Sequence, residues 1–151
     1  MSKRLSILAI DQATKTGWAL LTFSGNIISG VQDFKRRRGE SSGMIFLRFE
    51  KWLDEITAGV NVIYYEQAHH RGGAATAIGA GLVAIILKYA AENDIETCSV
   101  HSGTLKKFAI GSGKASKAEM FEAAKKYKAD VQDDNEADAL HMLHYAIQEI
   151  G

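Results

Sequence analysis

Three acidic positions in this sequence have the spacing from which chemistry can be built. Asp11 closes the apolar run of LAID (8–11) and Glu66 closes that of VIYYE (62–66), so each is the last residue of a strand as the chain surfaces. Adjacent strands of one sheet lie about 4.8 Å apart, close enough for two such strand ends to bring both carboxylates onto one cation. The third position is DDNEADAL (133–140), which opens the last helix. There Asp134 and Asp138 are four residues apart and Asn135 and Asp138 three, so all can face one side, while Glu136 points away from Asp138. Carboxylates clustered without cysteine and without zinc spacing suit a hard cation, Mg²⁺ or Mn²⁺. Two such ions about 3.5–4 Å apart can activate water and stabilise the leaving oxygen in an in-line attack on phosphate. Two of these acids also have a plainer reading. Asp11 can cap a turn through Gln12, Ala13 and Thr14, and Asp134 can be an N-cap or a favourable first-turn charge.

Positioning these groups requires a particular order of elements. Apolar patterning predicts strands over residues 5–11, 16–23 and 27–34, joined by short turns as an antiparallel meander. The period then changes: Ile45, Phe49, Trp52, Leu53 and Ile56 predict a helix over 44–57, closed by Gly59. A buried strand at 61–66, an apolar helix at 74–92 and a strand at 96–101 follow. Ser102 can cap a short helix containing Leu105, Lys106, Lys107 and Phe108. Ser116 with Glu119 forms a capping box for a helix running to about Lys128. The last helix, 134–150, carries Leu140, Leu143, Ile147 and Ile150 as a stripe against the sheet. The order βββαβαβα predicts an α/β fold with parallel crossovers after the meander.

Composition narrows the class. A chain of 151 residues is long enough for one domain with a real core, and the absence of proline-, serine- or glutamine-rich tracts argues against linkers and repeats. Cys98, the sole cysteine, cannot form an internal disulfide framework, which fits a reducing compartment. The uncharged run at 72–87 has 16 residues, four of them glycine, short of the ~18–20 that a membrane span needs. Net charge is zero, so attraction to a polyanion must come from local clusters such as KRRR at 35–38, Lys106 with Lys107, and Lys114 with Lys117.

With these residues in place, the sequence resembles a known family. The ordered set LAID, IYYE, VHSGTLKKFAIGSGKASKAEM and DNEADALHML resembles the RuvC-type Holliday junction resolvases of the RNase H-like superfamily, particularly their short phage-like members, over nearly the whole chain. The resemblance implies a mixed five-stranded RNase H-like sheet with helices on both faces. It also implies a homodimeric, Mg²⁺-dependent endonuclease, with Mn²⁺ able to substitute, that nicks two opposed strands of a four-way DNA junction. Its setting would be recombination, repair or phage DNA processing in the cytoplasm of a bacterium or phage-infected host. Asp11, Glu66 and Asp138 match the family's metal ligands. The fourth position falls on Asn135, through its amide oxygen, or on Asp134 after a small helix rotation. In QAHHRGG, His69 takes the place where the family stacks an aromatic near the junction centre. KKFAIGSGKASK matches the family's basic loop beside the scissile phosphate.

Lys107, Lys114 and Lys117, grouped around GSG, read as phosphate contacts because the glycines permit close backbone approach. GSGKAS is not a P-loop, since Ala115 stands where Ser or Thr should follow the lysine. KRRR reads as a solvated strand end outside the site. His141 and His144 lack a third zinc ligand at suitable spacing. Trp18, Trp52 and Cys98 read as core. Two other functions remain to be distinguished: a non-cleaving binder of branched DNA, disfavoured by the phosphate-repelling acids, and a sugar-kinase-like phosphotransferase, for whose second domain there is no room.

The helix AATAIGAGLVAIILKYAA is apolar around most of its circumference. Ala77, Gly79, Ala80, Gly81 and Ala84 allow close approach, and Ile78, Leu82, Ile85 and Ile86 supply area. One face is expected to cover the sheet. The remainder packs on a second copy, giving a two-fold dimer, or under the chain's own C-terminal helices.

Overall fold

A computed structural model describes residues 5–67 and 73–151. The chain runs through β1 (Ile7–Asp11), β2 (Lys15–Leu21), β3 (Ile27–Asp33), α1 (Gly43–Ile56), β4 (Val62–Glu66), α2 (Ala74–Glu92), β5 (Glu96–Val100), α3 (Ser102–Ile110), α4 (Lys117–Ala124) and α5 (Asp134–Ile150). The five strands form one mixed sheet in the order β3-β2-β1-β4-β5. β1 is antiparallel to β2, and β2 to β3, while β1–β4 and β4–β5 are parallel. This is the α/β fold with parallel crossovers after a meander that the order of elements predicted, and the RNase H-like sheet that the resemblance implied.

Alternation along β1 builds two cores. Ile7 and Ala9 point with Val62 and Tyr64 toward α5, where Leu140, Met142, Leu143 and Ala146 are buried. Leu8, Ile10 and Ile63 point to the other side and meet Phe49, Trp52 and Leu53 of α1 and Leu82 and Ile86 of α2. Trp52 lies edge-on to Trp18 and Phe34, at 6.4 and 5.6 Å between ring centres, so both tryptophans belong to this packing. Of the expected stripe on α5, Leu140 and Leu143 are buried, Ile147 is half-buried and Ile150 is exposed at the helix end.

Several boundaries differ from expectation for local reasons. Phe34 leaves the β3 ladder: its N–H donates to Thr14 O at 2.8 Å and its ring is buried beside Phe49. Phe23 falls in the β2–β3 turn rather than in β2. α3 is capped by His101, whose Nδ1 accepts from Gly103 N–H at 3.0 Å, so Ser102 lies inside the helix. The capping box of Ser116 and Glu119 forms as expected. α4 nevertheless stops at Ala124, where the chain turns so that Tyr127 stacks on His144 of α5, 3.8 Å between ring centres. Among the described residues, no helix is long and apolar enough to cross a membrane.

α2 packs on α1 and β5, while α5 lies across β1 and β2 on the opposite side of the sheet. The C-terminal helix therefore does not cover α2. Leu82 and Ile86 are buried, whereas Ala77, Ala80 and Ala84 face outward. Gly81 sits under the Phe46 ring, where a Cβ would come within 2.6 Å of a ring carbon.

Candidate metal centre

The carboxyl ends of β1 and β4 create the site. Their parallel register pairs Ile10 with Tyr65, so Asp11 and Glu66 are the next step of the ladder. The Gln12 side-chain amide continues that ladder, donating to Glu66 O at 2.5 Å and accepting from Glu66 N–H at 3.2 Å. Two strand ends that would otherwise fray are thereby tied together beside their carboxylates.

Asp11 is not the cap of the turn that follows it. That turn is held by Thr16, whose buried hydroxyl donates to Ala13 O at 2.6 Å. Asp11, only 8 % exposed, instead lies among acids. Carboxylate oxygens of Asp11, Glu66 and Asp138 all lie within 4.8 Å of one another, and among the described residues no other such group could hold a metal ion.

Asp138 reaches this cluster because α5 approaches the sheet unusually closely. Gly17 is the cross-strand partner of Asp11, and a Cβ on it would lie 2.0 Å from Asn135 O and 2.1 Å from its carbonyl carbon. Only a residue without a side chain lets the first turn of α5 rest on β2 here. α5 itself starts at an Asp133 cap, whose Oδ1 accepts from Glu136 N–H at 2.9 Å. Its first turn is fixed from behind by Glu136, which is fully buried and takes hydrogen bonds from Ser29 Oγ (2.6 Å), Lys128 Nζ (2.7 Å) and Gln132 N–H (2.7 Å). Burial opposes the charge of Glu136, but these donors outweigh it and hold the carboxyl below the ordinary range.

The electrostatics are those of anions awaiting a cation. Burial, then the charges of Glu66, Asp138 and Asp134, hold the Asp11 carboxyl well above its ordinary range. Asp138 is pushed up to about 7 by burial and by Glu66 and Asp134, against the opposing charges of Lys106 and Lys117. An all-oxygen donor set whose mutual repulsion Lys106 and Lys117 only partly offset fits a hard divalent ion.

A stability consequence follows. An acid whose folded pKa is raised stabilises the folded state most below its ordinary value, and that contribution is lost as pH rises through about 7. Metal requires the same carboxylates ionised. The rise in melting temperature produced by Mg²⁺ is therefore expected to be larger at pH 8 than at pH 6, and equal rises at the two values would contradict the assignment.

A cavity of about 490 Å³ opens over the cluster and is also lined by Gln12, Gly79, Ala80, Lys106, Lys117, Asp134 and Asn135. Asp134 and Asn135 thus both border the site. Asn135 Nδ2 donates to Lys15 O at 2.8 Å, and Asp134 Oδ2 stands 3.7 Å from Lys117 Nζ. Asp134 also contributes to the raised pKa values of Asp11 and Asp138, so its charge is felt at the cluster. Asp134→Asn is accordingly expected to raise the Mg²⁺ concentration for half-maximal activity about 10–100-fold, and Asn135→Ala to raise it less. A Mg²⁺ titration with the order reversed would assign the position to Asn135.

Of the basic residues expected at phosphate, Lys117 lines the cavity. Lys107 and Lys114 are exposed outside its lining. Lys106, named in the sequence only as part of a basic pair, faces the cavity instead. His69 lies outside the described residues. His141 is a core residue, its Nε2 2.8 Å from Met120 O, and His144 stacks on Tyr127, so neither belongs to the site.

No protein-family model and no curated protein sequence matches the chain. Among solved structures it is similar to Thermus thermophilus RuvC, with a TM-score of 0.70 at 17% identity over 96% of this chain and 97% of that one. It is equally similar to T. thermophilus RuvC in complex with Holliday junction substrate, with a TM-score of 0.71 at 17% identity and 96% of each chain covered. The fold is shared over nearly the whole of both chains.

Proposed function

We propose that this protein is a Mg²⁺-dependent, structure-selective endodeoxyribonuclease that resolves four-way DNA junctions. The observation that carries the reading is the meeting of Asp11, Glu66 and Asp138 within 4.8 Å at the carboxyl edge of a sheet whose fold is shared with RuvC. The RuvC structure that holds a Holliday junction supports the choice of substrate.

Asp11, Glu66 and Asp138, with Asp134 or Asn135 as a fourth, would hold the metal. When bound, two such ions activate water and stabilise the leaving oxygen of a phosphodiester. Gln12 keeps the first two carboxylates in register through the Glu66 backbone. Lys106 and Lys117, on the α3 and α4 side of the cavity, supply positive charge to a phosphate drawn over the acids. His69, three residues after Glu66 in the sequence, is the candidate to stack on an unpaired base at the junction centre. Lys107 and Lys114 would contact phosphates farther along an arm. Mn²⁺ is expected to substitute for Mg²⁺, and a bacterial or phage-infected cytoplasm is the expected setting.

A homodimer suits two opposed cuts, and the outward face of α2 supports it. Ala77 and Ala84 are exposed together with Leu87 (42 %) on this face of α2. Light scattering at micromolar concentration is expected to give twice the chain mass. A monomer that still nicks junctions in pairs would contradict the dimer.

The nuclease reading is tested by incubating labelled four-way, Y-shaped and linear duplex DNA with the protein, with and without Mg²⁺. Cleavage confined to branched substrates and to Mg²⁺ is expected. Equal cleavage of the linear duplex would remove the structure selectivity.

A further inference from the structure

We propose that residues 35–38, KRRR, form a second phosphate-contacting surface that holds the DNA arm leaving the cleft on the β3 side; this rests on the nuclease reading above. The topology brings the segment to the catalytic edge. β1 ends at Asp11, β2 runs back and β3 runs out again, so β3 ends at the same sheet edge as Asp11 and Glu66, two strand spacings or about 10 Å from β1 and three, about 14 Å, from β4. The segment is also fastened there. Phe34 immediately before it donates from its N–H to Thr14 O at 2.8 Å, in the turn that follows Asp11, and its ring is 2 % exposed.

The loop's own acids do not neutralise it. Glu40 is engaged by both guanidinium nitrogens of Arg48 and by Arg37 N–H at 2.7 Å, which pushes its carboxyl down to about 2. Asp33 Oδ1 accepts from the backbone N–H of Lys35 at 2.8 Å. Among the described residues, no carboxylate pairs with the side chains of Lys35, Arg36 or Arg38, and all four basic residues are exposed. Gly39, at φ +84, and Glu40 N–H donating to Arg37 O at 3.0 Å fix the loop's turn. Glu40 offsets Arg37 electrostatically and its carbonyl accepts from Arg36 Nη1 at 3.5 Å, which leaves a net positive cluster without a carboxylate partner for Lys35, Arg36 or Arg38, and arginine forks suit phosphate oxygens.

The rest of the cleft supplies the geometry. Lys106 belongs to α3, which follows β5 at one edge of the sheet, and residues 35–38 follow β3 at the other. A strand laid across Asp11, Glu66 and Asp138 would therefore meet cations on both sides. The roughly 10–14 Å from the acid-bearing strands to β3 corresponds to about three or four base steps at 3.4 Å each, which places the contacted phosphates several nucleotides from the cut.

The test is the salt dependence of junction binding, measured by fluorescence anisotropy in EDTA between about 50 and 200 mM salt. Replacing three side chains together, Lys35→Gln, Arg36→Gln and Arg38→Gln, is expected to reduce the slope of log K against log salt by about 2 or more and to weaken binding at least about tenfold. The charge-keeping pair Arg36→Lys and Arg38→Lys should retain the wild-type slope. A triple variant with wild-type slope and affinity overturns the proposal, as does a charge-keeping variant that loses as much as the triple. Wild type that cuts junctions beside an unaffected triple variant removes this surface alone, whereas wild type that binds no DNA removes the nuclease reading with it.

Discussion

Asp11→Asn is expected to reduce junction cleavage by at least about 10²–10³-fold, the scale seen when one preorganised charge-stabilising group is removed, while junction binding holds or tightens. Asp11 is the most buried of the three clustered carboxylates, and burial, then the charges of Glu66, Asp138 and Asp134, raise its pKa, so its negative charge is opposed without a cation. The amide keeps the shape and the place of the side chain beside Gln12 and Gly17 while deleting the anion. One less negative charge also lowers the repulsion of an incoming phosphate. Single-turnover cleavage and anisotropy on the same labelled junction separate the two effects. Cleavage at the wild-type rate would mean that the metal is held elsewhere.

Gly17→Ala is the second large effect, and it acts without touching the substrate. Its new Cβ would fall 2.0 Å from Asn135 O and 2.6 Å from Glu136 N, both backbone atoms of the first turn of α5. That turn has little freedom to yield, since Glu136 is locked behind it by Lys128, Ser29 and Gln132. Overpacking of this kind costs about 3 kcal/mol, equivalent to about 6–12 °C in melting temperature for a chain of this size. The helix can relieve the clash only by moving outward and carrying Asp138 away from Asp11 and Glu66. A displacement of about 1 Å reduces a positioned reaction roughly 10²-fold. The expected signature is a lowered melting temperature together with a higher Mg²⁺ requirement in the folded fraction. A variant with wild-type melting and wild-type Mg²⁺ dependence would show that the close approach is unimportant.

These two residues also mark where the sequence could and could not be read. Asp11 and Glu66 were legible because a strand buried on both faces leaves few reasons for an acid at its end, and the spacing of Asp134 and Asp138 followed from helical geometry. Gly17 carried no comparable signal. A glycine within a strand marks a bulge or a close approach, but the approaching backbone is Asn135, far along the chain. Lys106 and Lys107 posed a similar difficulty. Neighbours on a helix point about 100° apart, and which one meets the cavity depends on how α3 docks after its His101 cap.

Helical spacing turns Glu136 away from Asp138, yet its buried pairing with Lys128 and Ser29 depends on the sheet and the α4–α5 connection being in place. α4 is shorter than the sequence predicts because the capping box announces a start and nothing local announces the stop. Tyr127 ends the helix by turning onto His144, a tertiary contact. KRRR reads as a solvated strand end, and its position at the same sheet edge as Asp11 is not legible locally because strand order decides where β3 terminates.

The central claim, that the three clustered carboxylates hold metal for phosphodiester hydrolysis at a junction, is tested most directly on a four-way junction labelled separately on each strand. With Mg²⁺, paired nicks on two opposed strands are expected, with none in EDTA and none for Asp11→Asn in Mg²⁺. A junction bound tightly by the wild-type protein in Mg²⁺ yet left uncut would contradict the claim and identify a non-cleaving binder.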